Sequence, residues 1–517
     1  MGDRHQELSA LLSSAVLVMV GGMIGSAAKL GERVVIGRLL SPDAYGEVSI
    51  GLALLMFLTT FAMAGCSQGV SRFIPRYDDI EDRRGVWVSG IAVTMALAVG
   101  FAALLIVGAN WIASLLFETD VAVTFIRVLA VAIPFIVGFR VAISGIRGYE
   151  NTVFRTVAQD FIDPFLRIGL IALFILAGMG IVAAGVGYLL AAIATFVVAT
   201  LFLNRLMPLR GAYRTHTREL IRFSAPLVVS TVVGVLLTQT DTLMLGYFRS
   251  SAEVGLYSAA YPLASGLLVV LGAFGFLYLP IASRLDSDGD RAAVDDIYAT
   301  TTKWVYVVTF PAFLLLFAFP ADVLRIVFGV DYTAAASVLP ILAVGFFLSA
   351  AAGRDRETLS ALGSTSWIAM GNVFGLALNV VVNILLIPRY GFIGAGIASV
   401  TSLVAVHTVI CGVLAVQYGI TPLSRESTRT YIGLPLVCLP WVFLLTPWVS
   451  ISAVTILPAL VVLGVSSLLV VGLVGGLEPS DIVVVDLLED TLGVTIPLVR
   501  RWIPNDEDST LTSAIAD

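Results

Sequence analysis

Lys29, Glu32 and Arg33 stand together in "KLGERV", directly after "LLSSAVLVMVGGMIGSAA" (11–28), a run with no charge. Ionisable side chains inside a membrane-length apolar run are costly, and they persist where they pair or serve transport. Lys29 and Arg33 are four residues apart and share one helix face, with Glu32 beside it. Two cations on such a face suit a phosphate, and a carboxylate among them suits a coupling ion. The alternative places them at the outer end of the helix, where long side chains snorkel to the interface. Residue 29 lies roughly 32 Å from Leu8 along a helix rising 1.5 Å per residue. That is about the full hydrocarbon thickness of a bilayer, so depth favours the interface. An acid recurring at Asp241, preceded by "LLTQT" with Gln239, favours function.

Other polar groups also follow helical spacing. Asp160, Asp163 and Arg167 fall at i, i+3 and i+7, which allows an Asp–Arg pair that is structural or lines a cavity mouth. Asn372, Asn379 and Asn383 form a stripe that reads first as interhelical hydrogen bonding. His407 lies in an apolar segment and reads as a packing or hydrogen-bonding residue rather than a proton carrier. "GRDRETLSALG" (353–363) reads as a cytoplasmic loop with solvated charges. The three cysteines, Cys66, Cys411 and Cys438, lack metal-ligand spacing. "DSDGDRAAVDD" lacks the spacing and the glutamate that close a calcium loop, and reads as a solvated acidic loop. There is no G-x-x-x-x-G-K-[ST] phosphate loop. No catalytic residue, metal, cofactor or nucleic-acid partner is expected.

The elements that position these residues are membrane helices. Of 517 residues 58% are hydrophobic and 13% charged, against about 25% charged in a soluble domain. The mean hydropathy is +0.97. Recurrent long apolar runs predict an all-α polytopic membrane protein, not a β-barrel, which would show short alternating segments. Fourteen spans are expected, near 10–36, 46–68, 85–107, 121–139, 157–178, 181–203, 219–246, 254–279, 303–319, 335–352, 367–387, 391–414, 430–447 and 450–476. "GMG" (178–180) and "PRYG" (388–391) mark turns between neighbouring helices. With the N-terminus cytoplasmic, 22 of the 30 lysines and arginines fall on inner loops and ends, and four on outer loops. That positive-inside pattern fits an even span count with both termini cytoplasmic, in a multi-pass protein of the cell (plasma or inner) membrane.

An internal repeat organises the spans. "ERVVIGRLLSPDAYGEVS" from Glu32 aligns with "DTLMLGYFRSSAEVGLYS" from Asp241. Glu32 pairs with Asp241, Gly37 with Gly246, Ser41 with Ser250, Gly46 with Gly255 and Ser49 with Ser258. "GIVAAGVG" (180–187) matches "GFIGAGIA" (391–398) at nearly the same offset. An offset of six spans keeps both halves in the same orientation. The expected organisation is a six-helix lobe over 1–210, a second over 211–424, two further helices over 425–477, and an acidic cytoplasmic tail over 478–517, partly interfacial helix and partly disordered.

"GRLLSPDAYGEVSIGLALL" (37–55), "FSAPLVVSTVVGVLLTQTDTLMLGYFRSSAEVGLYSAAYPLAS" (223–265) and "IPRYGFIGAGIAS" (387–399) together carry a family likeness. Over roughly 7–420 the chain resembles polysaccharide or oligosaccharide-lipid flippases, the Wzx-type branch of the multidrug/oligosaccharidyl-lipid/polysaccharide exporter superfamily. The resemblance implies two lobes around a cationic cavity. It also implies movement of a polyprenyl- or dolichyl-linked glycan to the outer leaflet by alternating access, without ATP hydrolysis. On that basis Lys29, Arg33, Gln239, Asn379 and Asn383 are candidates for substrate contact. Some relatives carry an ion-binding carboxylate in the first helix, which makes Glu32 and Asp241 candidates for Na+ or H+ coupling. The partners implied are the lipid-linked glycan and the bilayer, with the chain a monomer, alone or alongside other polysaccharide-assembly proteins. Two other readings stay open: a multidrug/cation antiporter of the same superfamily, and a membrane glycosyltransferase or polymerase of the same pathway.

Overall fold

The structure is a computed structural model that describes residues 2–273, 275–479, 481, 482 and 502, with the side chains of 2–20, 229, 273, 275–277 and 425 left aside. Most of the described residues are helical, with no strand among them. They pack as two compact units. One is Met1–Ala259 with Ile387–Phe392, and the other is Ala260–Leu386 with Ile393–Asp517.

The first unit begins with α1 (Gly2–Leu39), α2 (Pro42–Met63), α3 (Cys66–Phe73), α4 (Ile80–Leu116) and α5 (Ala122–Gly148). It continues with α6 (Thr152–Thr156), α7 (Asp163–Leu176), α8 (Val182–Leu206), α9 (Thr217–Phe248) and the start of α10 (Ser251–Ser265). Helix starts follow local chemistry. Ser41 caps α2 through the Ala44 amide, with Pro42 at the first position and Asp43 in the first turn. Asp79 caps α4 through the Glu81 amide in the same way. Between α6 and α7 the chain makes a π-helical turn over Val157–Ile162, a local widening often found at functional sites. The core lies where α5 meets α8. Gly138 and Gly145 of α5 let Phe196 and Leu203 of α8 close onto its backbone, the small-residue packing by which membrane helices approach. Some buried hydroxyls are satisfied within their own helices, as Thr59 to Leu55 O and Thr195 to Ala191 O, both at 2.8 Å.

The second unit holds the rest of α10, then α11 (Leu268–Ala273), α12 (Gly275–Ser287), α13 (Arg291–Ala318), α14 (Pro320–Val327) and α15 (Leu339–Ala351). After these come α16 (Asp355–Ala361), α17 (Thr365–Val413), α18 (Arg425–Leu445) and α19 (Ile456–Leu473). Tyr278, Val294, Tyr298, Val406, Ile410 and Leu414 form a core here. The helix α17 is two arms joined at Gly391, whose φ of 58° and ψ of −136° break the helix three residues after Pro388.

Among the described residues eight helices are long and apolar enough to cross a membrane, or up to ten if each bent pair is one span. Fourteen were expected. The difference lies in breaks: α17 carries two expected spans as one element, the π turn shortens α7, and a break at 266–267 separates α10 from α11. The six-plus-six division at 210/211 is a reading of the repeat. Packing instead places α9 and the first part of α10 in the first unit.

The repeat has structural counterparts. Gly180 (φ 54°) and Gly391 (φ 58°) both adopt the left-handed conformation at their inter-helix turns. Gly46 and Gly255 meet each other. A Cβ on Gly46 would lie 1.8 Å from Ser251 O, and one on Gly255 would lie 2.0 Å from Pro42 O. The loop ends that the cation count assigns to one face also gather in this unit. Glu47 accepts the Glu118 and Thr119 amides at 3.2 and 3.0 Å, and Arg249 donates to Ile387 O at 3.0 Å and Pro388 O at 2.9 Å.

One expectation is corrected. Residues 353–363 are not a solvated loop. Arg354 and Asp355 are 6% and 1% exposed, and α16 begins there. The start of the tail is held against α13. Asp481 is fully buried, 2.6 Å from Lys303 Nζ and 2.8 Å from Trp304 Nε1, so it neutralises a lysine inside α13. Residues 483–501 and 503–517 lie outside the described residues, and with them most of the expected interfacial helix and disordered end.

Candidate functional site

The charged residues of α1 diverge in space. Lys29 is exposed, Arg33 is half-buried beside the Tyr45 phenol, and Glu32 is 4% exposed. Glu32 turns toward α7 and α8. Arg167 Nε and Nη2 lie 2.8 Å from its Oε2, and the Tyr188 hydroxyl donates to Oε1. Arg167 Nη1 reaches Asp163 at 2.8 Å, which is the Asp–Arg pair that the spacing suggested. The guanidinium also lies 4.8 Å over the Tyr188 ring. Asp160 takes no part in that pair. It sits in the π turn against the glycine face of α1, where a Cβ on Gly25 would lie 3.4 Å from its Oδ1. Arg155 and Lys29 are the cations near it.

Beside this network is a cavity of about 100 Å³ within the first unit, walled by α2, α5, α7 and α8. Arg140, Asp163, Arg167, Tyr188, Thr59 and Thr195 line it together with apolar side chains. Arg167 is already shared between two carboxylates. Arg140 is different: among the described residues its guanidinium makes no hydrogen bond and no ion pair, and Asp163 is the carboxylate whose charge acts on it. A guanidinium in an apolar bundle with its donors unspent is a ready partner for phosphate oxygens, which its planar fork can bind bidentately.

The sequence reading counted Arg140 among loop and end cations. The structure places it eight residues inside α5. One signal was available: "VGFRVAISG" is apolar enough to continue the helix past residue 139. Tyr188 gave no signal of its own, because a tyrosine in an apolar run reads as packing.

Asp241 lies in the same unit, 1% exposed, and accepts the Tyr257 hydroxyl at 2.7 Å. Gln239 is half-buried, its amide 3.3 Å from Thr238 Oγ1. In the second unit Asn379 and Asn383 are 1% and 0% exposed. Asn383 donates to Asn379 Oδ1 at 3.0 Å, and Asn379 reaches Ser402 Oγ at 3.5 Å across the arms of α17. His407 bridges Ser349 (2.5 Å) and Asp355 (2.7 Å), so it ties α15, α16 and α17 together. No group of three or more metal-ligating side chains is present among the described residues.

Outside the helical bundle, the 207–216 connector is bound to the first unit. Arg84 donates to Pro208 O at 2.8 Å and to Ala212 O, and the Arg214 amide donates to Glu81 O at 3.2 Å. The Arg214 guanidinium meets Asp79, Glu81 and Asp82 at 3.0–3.1 Å. That raises its pKa above the ordinary value, and its charge helps the Glu81 amide hold Asp79 below the usual carboxylate range. Tyr77 donates to Glu219 at 2.7 Å, and burial with that acceptor pushes its phenol up to about 12.

Comparison with known proteins fits this architecture. Residues 11–285 match the polysaccharide biosynthesis protein family model, and residues 226–385 match the MatE family. Among curated proteins, the chain is 27% identical over 195 residues to the probable low-salt glycan biosynthesis flippase Agl15 of Haloferax volcanii, covering 38% of this chain and 41% of that one. It is 25% identical over 324 residues to the succinoglycan biosynthesis transport protein ExoT of Rhizobium meliloti, covering 60% and 61%. The matches thus span under half of the first relative and about three-fifths of the second. Among solved structures, the lipid II flippase MurJ in an inward closed conformation gives a TM-score of 0.72 at 14% identity, covering 92% of this chain and all of that one. An inward-facing multidrug resistance MATE transporter gives 0.63 at 18% identity, covering 76% and 96%. At such identities the likeness is one of fold. The family match extends over more than half of the sequence, and the chain belongs to the polysaccharide biosynthesis protein family.

Proposed function

We propose that this protein is a transporter, not an enzyme. It moves a polyprenyl- or dolichyl-linked oligosaccharide or polysaccharide unit from the cytoplasmic to the outer leaflet of the cell membrane by alternating access. The observation that carries this reading is Arg140, a guanidinium with unspent donors on a cavity inside an apolar helical unit. A lipid-linked glycan presents a phosphate that needs such a cation and a lipid tail that needs none. Arg33 and the exposed Lys29 supply further positive charge along α1. Gln239 is the polar group on α9 suited to sugar hydroxyls. Asn379 and Asn383 serve chiefly to hold the two arms of α17 together.

The repeat supports six-helix lobes over 1–210 and 211–424 as the moving parts, and the cation asymmetry supports cytoplasmic termini. Glu32 and Asp241 remain the residues through which Na+ or H+ would couple. For Glu32 that requires Arg167 to leave, since the guanidinium occupies the position a coupling ion would take. The chain acts as a monomer, alone or alongside other polysaccharide-assembly proteins. A second reading, a multidrug/cation antiporter, is favoured by the MatE match. The unspent guanidinium of Arg140 on the cavity disfavours a cationic cargo.

The experiment is reconstitution of the full chain in proteoliposomes with a fluorescent lipid-linked oligosaccharide, scored by outer-leaflet quenching under imposed Na+ and pH gradients. Accelerated flipping without ATP is expected. Flipping no faster than in empty liposomes contradicts the function. Flipping indifferent to both gradients contradicts the coupling alone.

A further inference from the structure

A second and larger pocket lies in the first unit, about 450 Å³ in volume, where the end of α4 meets the end of α9 and the start of α10. Phe117, Glu118, Tyr247, Phe248, Arg249 and Glu253 line it. This is the face that the cation distribution assigns to the outside. Tyr247 and Phe248 are 54% and 36% exposed, with ring centroids 4.9 Å apart and planes at 81°, so both leave apolar ring surface open. The walls are fixed from behind. Buried Glu47 takes the Glu118 and Thr119 amides, Glu253 accepts the Phe392 amide at 3.0 Å, and Arg249 spends its donors on Ile387 O and Pro388 O. The Glu118 carboxylate makes no hydrogen bond or ion pair among the described residues.

Pockets that bind small organic ligands run from about 300 to 1,000 Å³ and combine an apolar wall with a few fixed polar groups. This one offers exposed aromatic rings and a carboxylate without a partner among the described residues, with one more acid than base. That excess of negative charge disfavours the phosphate end of a lipid-linked molecule. It suits a neutral saccharide, whose C–H faces pack on aromatic rings and whose hydroxyls donate to carboxylates.

We propose that this pocket is a saccharide subsite, which holds the glycan on the outer face while its phosphate leaves the inner cavity. The proposal rests on the flippase reading and adds a site separate from Arg140.

The test uses the full chain in lipid nanodiscs. The probe is the carrier-free oligosaccharide released by mild acid from the lipid-linked pool of the source cells, observed by saturation-transfer NMR. Transfer to sugar ring protons is expected in the unmodified protein. It should fall at least fivefold in Tyr247→Ala and in Glu118→Gln, and survive in Tyr247→Phe, which keeps the ring and confirms folding. Binding of a sugar-free polyprenyl phosphate should be unchanged in all three. Absent transfer in the unmodified protein, or equal transfer in all variants, overturns the proposal and leaves the aromatics as interfacial anchors. A flippase reading that is itself wrong shows differently: the unmodified chain then neither binds polyprenyl phosphate nor flips the intact lipid-linked glycan.

Discussion

Arg167 shows how one residue changes the meaning of another. In the sequence Glu32 is an acid among cations on the first helix, and its partner is invisible because 135 residues separate the two. The helical spacing of Asp163 and Arg167 made their pair legible. Nothing local indicated that the same guanidinium also closes on Glu32. Removing one partner of a buried pair leaves an uncompensated charge and costs roughly 3–5 kcal/mol, whereas removing both costs much less. We therefore expect Arg167→Gln to lower the thermal midpoint strongly and Glu32→Gln/Arg167→Gln to recover much of the loss, read by thermal unfolding in detergent. A double variant no more stable than Arg167→Gln contradicts a paired role. Arg140 was missed for a related reason: the span carrying it was ended at residue 139, one position before the cation that matters.

Elements were more legible than contacts. Apolar periodicity, Ser and Asp caps and the glycine turns at 178–180 and 388–391 located the helices, because these are local effects. Solvation was harder. Residues 353–363 have a loop-like composition, yet Asp355 is buried by His407 and Cys411, partners from a distant part of the chain. The crossing of α2 and α10 rests on Gly46 against Gly255. Gly46→Ala inserts a methyl into backbone, a strain of about 1–3 kcal/mol, and should lower the thermal midpoint in detergent, while Gly31→Ala, with open space around it, should not. An unchanged midpoint for Gly46→Ala would mean that the crossing does not hold. The 207–216 connector gives a pH test. Asp79 has a lowered pKa, so its contribution is present above its ordinary 3.8 and is lost as pH falls below it. Tyr77 has a raised pKa, so its contribution is present below the ordinary 10 and is lost as pH rises through about 12. Exchange of the Arg214 amide, corrected for intrinsic rate, should be most protected between about pH 4 and 10. Flat protection across that range and beyond would contradict the clamp.

For the whole molecule, composition settles the class, and the repeat aligned Gly180 with Gly391 and Gly46 with Gly255; that the first two both take a positive φ and that the last two touch each other came only from the structure. How the helices group was not legible, because the packing that joins α9 to the first unit depends on contacts that no periodicity encodes. The central claim is that a lipid-linked glycan passes through by way of the unspent guanidinium of Arg140. The direct measurement is the initial rate of outer-leaflet appearance of a fluorescent lipid-linked oligosaccharide in proteoliposomes holding equal amounts of correctly folded unmodified protein, Arg140→Ala or Arg140→Lys. Arg140→Ala should be at least tenfold slower, as the loss of a charged hydrogen-bonding partner worth about 1.5–3 kcal/mol implies. Arg140→Lys should fall between the two, since an ammonium keeps the charge and loses the fork. Equal rates for Arg140→Ala and the unmodified protein would contradict the claim.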